Sequence, residues 1–311
     1  MNRQIYTIGE TVFDIIFKDN VPNHGNPGGS VLNSAVTLGR LGLKPIFLSD
    51  FCNDLIGQVI KTFLKENSVT SKPIIINNDK QTSIALAFLD QNNNAQYEFY
   101  KQKPSQKDFQ ELDIEFHSND VLLFGSFYAI MPEIRVCMSE ILKKAKQNET
   151  IIVYDPNFRK PHLKDLPKVK SFIEENIRFS DIVKGSDEDF SLIFNTLNDI
   201  ETFKELEKIN PKAHFFLTKA DKGCSYYYKG VIKNFDVPKI TPVSTIGAGD
   251  NFNAGIVYSI IKQQITKTHL NNQLSEKQIT EIVMDSVKFS QSVCQSTFNY
   301  ISKEFAKNYA I

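Results

Sequence analysis

Small residues lead into an acid at Gly247-Ala248-Gly249-Asp250, and apolar residues at helical spacing follow. The pattern predicts a helix over 248–262 with free N–H groups at 247–249, because the first N–H groups of a helix have no partner within it. Such groups bind anions, phosphate above all. The carboxylate beside them can accept the proton of an attacking hydroxyl while the N–H groups stabilise charge on a transferring phosphoryl group. The residue types and their spacing therefore indicate phosphoryl transfer.

Glycine-rich and acidic segments of this kind also occur in motifs with a different chemistry. An Asp in a first helical turn also serves as a simple helix cap, and that alternative stays open on the residues alone. A dinucleotide-binding GxGxxG pattern does not fit, because Phe252 stands where its third Gly would be. No GxxxxGK(S/T) loop occurs in the sequence, and its 5 His residues show no HExxH spacing. A P-loop and a zinc hydrolase site are therefore excluded.

The composition excludes several classes of protein. Lys plus Arg number 36 and Asp plus Glu number 36, so there is no basic excess for a nucleic-acid backbone. The 4 Cys residues show no CxxC spacing, which favours free thiols in a reducing compartment. The first residues lack the apolar core of a signal peptide, and the longest apolar stretch, 121–131, is shorter than the ~20 residues of a membrane span. We therefore expect a cytoplasmic protein that contacts neither nucleic acid nor membrane.

Short apolar runs alternate with helical patterns over most of the chain, and these elements must position the segment at 247–250. Strands are expected at 4–9, 45–49, 121–125, 150–155, 181–184 and 214–218. Helices are expected at 30–41, 54–66, 132–147, 166–178 and 186–194, and in the last third at 248–262 and 276–296, joined by a polar connection. This alternation predicts an α/β fold with a mostly parallel sheet covered on both faces.

One region departs from this alternation. Residues 83–89 and 95–101 alternate like strands on either side of the turn Asn92-Asn93-Asn94, which predicts an inserted β-hairpin. The segment 13–18 can pair with this hairpin. A small antiparallel sheet on an α/β body is a candidate lid over a site. A hairpin without a role in the site, or one that contacts a second subunit, stays open as an alternative.

Several segments match, in order, the signatures of one known family. They are Gly9-Glu10 with Asp14, Gly28-Gly29-Ser30 with Asn33, Asn53-Asp54 with Gly57, Asp155 with Asn157 and Arg159, Thr218 with Gly223, and Gly247-Ala248-Gly249-Asp250 with Phe252 and Ala254-Gly255. Over nearly the whole chain these segments resemble the ribokinase-like (PfkB) carbohydrate kinase family. The Gly-Gly-Ser and Gly-Ala-Gly-Asp segments resemble its fructokinase-like branch.

The resemblance implies a fold and a set of site residues. The fold is a ribokinase-like three-layer α/β sandwich over 1–311, with a mostly parallel central sheet and a small inserted β lid at 10–20 and 82–102. The implied catalytic groups are Asp250 and the N–H groups of Gly247, Ala248 and Gly249. The implied sugar ligands are Asp14, Gly28, Gly29, Asn33, Asn157 and Arg159. The implied nucleotide ligands are Ser186, Thr218, Lys219, Gly223, Thr245, Gly247 and Gly249, with Asp189 reaching Mg2+ through water. Taken alone, Asp14 also fits a turn cap, Arg159 a surface ion pair and Lys219 a solvated lysine.

Two positions depart from the family's pattern. The family's N-x-x-E segment, which orders magnesium and phosphates through water, is represented by Ser186 and Asp189, so the acid is kept but is one methylene shorter. Glu188 is an alternative for that acid. Ser244 stands where many relatives have an Asp that supports a monovalent-cation site, which argues against potassium activation.

The resemblance implies an ATP-dependent sugar kinase that uses Mg2+ and phosphorylates a primary hydroxyl, with fructose as the first candidate. Ribose and 2-keto-3-deoxygluconate are alternative acceptors on the same fold. A non-catalytic sugar or nucleotide sensor is the alternative from another class, and the presence of Asp250 argues against it. Pairing of two lids would make the protein a homodimer, and this also stays open.

Overall fold

Strands and α-helices alternate along the chain, as its apolar pattern predicts. The computed structural model describes residues 3–77, 80–89, 95–101 and 114–309. The strands in these ranges are β1 (Ile5–Ile8), β2 (Val12–Lys18), β3 (Val21–Gly28), β4 (Ile46–Cys52), β5 (Thr70–Asn77), β6 (Ile84–Leu89), β7 (Ala95–Tyr100), β8 (Val121–Gly125), β9 (Ile151–Asp155), β10 (Ile182–Ser186), β11 (His214–Thr218), β12 (Cys224–Tyr228) and β13 (Val231–Phe235). The α-helices are α1 (Ser30–Arg40), α2 (Leu55–Glu66), α3 (Arg135–Gln147), α4 (Leu166–Phe179), α5 (Asp187–Phe194), α6 (Asp199–Ile209), α7 (Ala248–Lys262), α8 (Lys267–Asn272), α9 (Glu276–Cys294) and α10 (Lys303–Lys307).

A large sheet of 9 described strands has the order β13-β12-β11-β10-β9-β8-β1-β4-β5. The pairs from β5 to β11 are parallel, and β12 and β13 are antiparallel at one edge. All six strands expected from the sequence lie in the parallel part. Because parallel strands end at the same edge of a sheet, the segments that follow β1, β9, β10 and β11 come together there.

Alternate residues of each strand pack on opposite faces of the large sheet. In β8, Val121 and Leu123 belong to one core and Leu122 and Phe124 to the other, and each of them is buried. The first core contains residues of α1, α2 and α7–α10, and the second contains residues of α3–α6. This arrangement is the predicted three-layer α/β sandwich.

A second, small sheet contains 4 strands in the order β3-β2-β6-β7. The predicted hairpin is β6 and β7, and β2 pairs with β6 in parallel, so the expected pairing of 13–18 with the hairpin is confirmed. The turn at Asn92-Asn93-Asn94 lies outside the described residues. The sequence did not predict β3, which pairs antiparallel with β2, because its Pro and Gly residues hide the alternation of a strand. The homodimer through this small sheet stays a prediction.

The helical last third follows the prediction except at its polar connection. That connection contains the short helix α8, which begins at a capping box of Thr266 and His269.

None of the helices within the described ranges has the length and apolar character that a membrane crossing requires. The helix that carries the segment at 247–250 is α7, and it packs between the large sheet and α9.

Candidate active site

The N-terminus of α7 is the centre of the candidate site. The helix begins at Ala248 as predicted, and Gly247 precedes it with a φ of 80°. A side chain at Gly247 would also meet the Asn299 carbonyl oxygen, 2.6 Å from the position of its Cβ. Both features require glycine. Asn251 Nδ2 donates to the carbonyl oxygens of Gly247 and Asn299, at 2.8 Å each, and so fixes the turn that enters the helix.

The free N–H groups of this helix start differ in part from the prediction. The Ala248 N–H donates to the Thr245 carbonyl oxygen at 3.3 Å, because the chain closes a turn there before the helix begins. Ala248 is therefore not a free donor, and that part of the prediction was wrong. Within the described ranges, the N–H groups of Gly247, Gly249 and Asp250 have no protein acceptor. The candidate anion hole thus contains the Asp250 N–H in place of the Ala248 N–H.

Two side chains of α1 hold the Asp250 carboxylate. Ser30 Oγ donates to its Oδ1 at 2.6 Å, and Asn33 Nδ2 donates to its Oδ2 at 2.8 Å. One turn further along α1, Ser34 Oγ donates to the main-chain oxygen of Asp250 at 2.7 Å. Each carboxylate oxygen keeps a further lone pair, so the carboxylate can still accept a proton from a bound hydroxyl.

The surroundings of Asp250 suit it to accept a proton. Burial raises the pKa of the Asp250 carboxyl above its usual range, while the hydrogen bonds from Asn33 and Ser30 and the charge of Lys184 oppose that rise. A raised pKa makes a carboxylate a stronger base. The opposing hydrogen bonds favour the ionised form that a base needs.

Asp14 on β2 is the second carboxylate of the site. A Cβ on Gly28 would lie 2.1 Å from Asp14 Oδ2, so the missing side chain at Gly28 makes room for the carboxylate. No described residue donates a hydrogen bond to it. Burial and the charge of Glu10 raise the pKa of Asp14 to about 7, and Asp250 adds to this rise, so the two carboxylates lie near each other. An acceptor without protein donors suits a hydroxylated ligand.

The remaining predicted sugar ligands lie in two places. Gly29 and Asn33 lie at the start of α1, where Asn33 donates to Asp250 and keeps a buried Oδ1 without a partner. Asn157 and Arg159 follow β9 at the carboxyl edge of the large sheet, and Arg159 is exposed. The charge of Arg159 lowers the pKa of Asp189, although burial of that acid raises it overall. The Arg159 guanidinium and the Asp189 carboxyl therefore lie at the same edge of the large sheet.

A buried ion pair behind the site was not predicted from the sequence. Lys184 Nζ lies 2.9 Å from Asp155 Oδ2, and the two side chains are 4% and 2% exposed. Asn253 of α7 donates to the same oxygen at 2.6 Å. The signal in the sequence was a lysine at the end of the apolar run 181–184, because a buried charge needs a partner or a function.

The predicted nucleotide ligands Ser186 and Thr218 are neighbours in register at the ends of β10 and β11. Ser186 is also the N-cap of α5, where its Oγ accepts from the Asp189 N–H at 3.0 Å and its N–H donates to Asp189 Oδ2 at 2.8 Å. The Asp189 Oδ1 atom stays buried without a partner. Thr245 lies just before α7 and is exposed. These residues line the same carboxyl edge as Asp250.

Lys219 and Gly223, which were also predicted to bind nucleotide, have contacts that serve the fold. Lys219 Nζ pairs with Asp199 at 2.6 Å and donates to Ser225 Oγ at 2.7 Å, which joins β12 to α6. Gly223 has a φ of 97°, and a Cβ there would lie 2.2 Å from the Phe235 carbonyl oxygen. These contacts hold Lys219 and Gly223 at the sheet edge, and their binding of nucleotide stays a prediction.

The chain is similar to known carbohydrate kinases. Residues 2–297 match the model of the pfkB family carbohydrate kinases. A fructokinase from Rhizobium leguminosarum bv. trifolii is 28% identical over 284 residues, which are 89% of this chain and 83% of that protein.

Solved structures show the same fold. A fructokinase double mutant from Vibrio cholerae O395, in a form that binds fructose, ADP and a potassium ion, has a TM-score of 0.84 at 17% identity. The match covers 100% of this chain and 99% of that one. An aminoimidazole riboside kinase from Salmonella enterica, complexed with aminoimidazole riboside and an ATP analogue, has a TM-score of 0.81 at 15% identity, over 99% of this chain and 100% of that one.

The chain belongs to the pfkB family of carbohydrate kinases, because the family model spans nearly all of it. Its ribokinase-like fold and its activity class, phosphoryl transfer to a sugar, are those predicted from the ordered motifs. The roles of individual residues remain proposals.

The Ser30 hydrogen bond gives the first prediction. Ser30→Ala removes a donor that favours the ionised form of Asp250, so the pKa of that carboxyl rises further. The acid limb of the kcat–pH profile should move to higher pH, with kcat on that limb about tenfold lower. Ser34→Ala is the matched control, since Ser34 donates to the main-chain oxygen of Asp250 and not to its carboxylate. Identical acid limbs in wild type and Ser30→Ala would contradict the assignment of Asp250 as the base.

Proposed function

We propose that the protein is an ATP-dependent kinase that phosphorylates a primary hydroxyl of fructose. The observation that carries the proposal is the Asp250 carboxylate, which Ser30 and Asn33 hold beside free N–H groups of the same helix turn. Phosphoryl transfer to a hydroxyl needs a proton acceptor and a group that stabilises charge on the phosphoryl oxygens. Both lie within one turn of α7.

The reaction follows from this arrangement. The sugar hydroxyl donates its proton to Asp250, and its oxygen attacks the γ-phosphorus of ATP. The bond from that phosphorus to the bridging oxygen breaks, and ADP leaves with the electron pair. The N–H groups of Gly249 and Asp250, with that of Gly247, stabilise the negative charge on the phosphoryl oxygens. Because the helix already fixes these groups, little reorganisation is needed at the moment of reaction. Base catalysis contributes about 10²–10⁴-fold, and positioning supplies most of the rest.

We assign sugar recognition to two hydrogen-bond acceptors for which the described residues supply no donor. Asp14 accepts hydrogen bonds from neighbouring hydroxyls, and the Asn33 Oδ1 atom accepts one more. The small sheet acts as the lid. Lys101, just after β7, pairs with Glu10, just after β1, at 2.8 Å, and this ion pair joins the small sheet to the body next to Asp14. A closed lid excludes water and limits ATP hydrolysis.

Fructose is proposed because curated relatives at 24–29% identity are fructokinases. The test is an ADP-release assay with ATP and a panel of fructose, ribose and 2-keto-3-deoxygluconate, at equal concentrations. We expect the highest kcat/KM with fructose. A higher value with another member of the panel would reassign the substrate, and no ADP release with any sugar would favour a sensor.

A magnesium ion fits the nucleotide side of the site. The described ranges contain no group of His, Cys, Asp and Glu side chains that would hold a metal ion directly. Asp189 nevertheless has an Oδ1 atom without a partner at the carboxyl edge of the sheet. Mg2+ on nucleotide phosphates keeps several waters, and one water can reach such an oxygen. We propose that Asp189 orients the hydrated ion, which neutralises phosphate charge, while Ser186, Thr218 and Thr245 line the nucleotide groove.

Asp250→Asn tests the proposed base. We expect kcat to fall about 10²–10⁴-fold, because the amide cannot accept the proton, while KM for the sugar and for ATP changes little. Asp285→Asn is the matched control, since Asp285 is also buried but pairs with Lys262 at the other end of α7. An Asp250→Asn variant with wild-type kcat would rule out this mechanism.

Asp14→Asn tests the proposed sugar carboxylate through pH. With a pKa of about 7 for Asp14, its ionised fraction grows as pH rises from 6 to 8, so KM for fructose should fall about tenfold over that range. The variant should have a higher KM that no longer depends on pH. Asp19→Asn, in the exposed turn after β2, is the control. Parallel KM–pH profiles for wild type and Asp14→Asn would refute the assignment.

A further inference from the structure

Lys184 in β10 is a buried lysine near the carboxyl edge of the large sheet. Its side chain is 4% exposed, and its ammonium group donates to Asp155 Oδ2 at 2.9 Å. No other acceptor for it is found among the described residues. An ammonium group has three N–H donors, so two of them remain without a protein acceptor. A buried charge with unused donors suggests a ligand that supplies the missing acceptors.

The ammonium group lies against the first turn of α7. A Cβ on Gly249 would lie 2.9 Å from Lys184 Nζ, so the missing side chain at Gly249 leaves the ammonium beside a free N–H of the anion hole. The charge of Lys184 also lowers the pKa of Asp250, which agrees with this closeness. A cation, free N–H groups and the proposed base therefore meet at one turn of a helix.

Asp155 holds Lys184 in this position. Its Oδ2 accepts from Lys184 and from Asn253 of α7, at 2.9 and 2.6 Å, and its Oδ1 accepts from the Asn157 N–H at 2.9 Å. The ammonium is thus tied to β9 and α7 as well as to its own strand. A cation fixed in this way is already oriented before a substrate binds.

We propose that Lys184 is a catalytic residue whose ammonium donates a hydrogen bond to the phosphoryl group as it passes from ATP to the sugar; this rests on the proposed function. In that step the sugar oxygen forms the new O–P bond, and its proton goes to Asp250. The bond between the γ-phosphorus and the bridging oxygen breaks, and ADP leaves with that electron pair. Lys184 keeps its protons and stabilises the charge on the equatorial oxygens.

A purely structural ion pair is the competing role for Lys184, and the chain offers a matched control for it. Lys267 pairs with Asp181, and their side chains are 13% and 14% exposed. Asp181 immediately precedes β10, so this pair lies at the amino end of the strand that carries Lys184. Loss of either lysine removes an ion pair that is at least partly buried, but of the two only Lys184 lies beside the anion hole.

The experiment compares wild type with Lys184→Met, Lys184→Met/Asp155→Asn and Lys267→Met, using fructose and ATP. The double variant removes both charges of the pair, so it leaves no unpaired buried carboxylate. We expect both Lys184 variants to lose about 10²–10³-fold in kcat with little change in the sugar KM. We expect Lys267→Met to lower Tm and to keep kcat near the wild-type value.

The kcat of the double variant separates the catalytic role from the structural one, because neither charge of the ion pair remains in that variant. Lys184→Met should also move the acid limb of kcat to higher pH, since the charge of Lys184 lowers the pKa of Asp250. A folded double variant with kcat near the wild-type value would overturn the inference and leave the proposed function intact. A wild-type protein that phosphorylates no sugar would overturn the proposed function and this inference with it.

Discussion

The burial of Asp250 at the junction of α1 and α7 is the constraint on which the site depends. A carboxylate in that place loses most of its water, and the donors on Ser30 and Asn33 replace it. The two helices must therefore keep a fixed register. A hydrogen bond from Thr37 to Asn251, two turns along α1, extends that register. Because α1 begins next to the strand that carries Asp14, the same packing also sets the distance between Asp14 and Asp250.

The charges of the site form a second constraint. Asp14, Asp155, Asp189 and Asp250 gather near one edge of the sheet, and burial raises the pKa of Asp14, Asp189 and Asp250. In the proposed mechanism a nucleotide brings further negative charge to this region. The free N–H groups of α7, Lys184 and Arg159 would offset part of that charge, and a magnesium ion would offset another part. The same balance of charge accounts for a buried lysine in the middle of β10.

The sequence predicted those elements whose patterns are strong. Parallel strands buried on both faces are apolar throughout, and the helices between them have apolar stripes, so six of the nine described strands of the large sheet and the start of α7 could be predicted. The sequence did not predict β5, β12 and β13 of the large sheet or β3 of the small sheet. β3 and β5 contain Pro, and β13 is mostly exposed, so they lack that pattern. β12 is buried but is a short run of Cys, Ser and Tyr without aliphatic residues. The free N–H groups at 247–250 depend on a turn that Thr245 closes. The role of Lys184 depends on its pairing across two strands, and neither contact is visible in the local sequence.

A crystal structure with ADP, fructose and aluminium fluoride, which imitates the transferring phosphoryl group, tests the central claim most directly. The account predicts that the fluoride complex lies against the N–H groups of Gly249 and Asp250. It also predicts a fructose primary hydroxyl within hydrogen-bond distance of the Asp250 carboxylate. A fluoride complex bound away from α7, or a fructose hydroxyl that meets a different acid, would contradict the account.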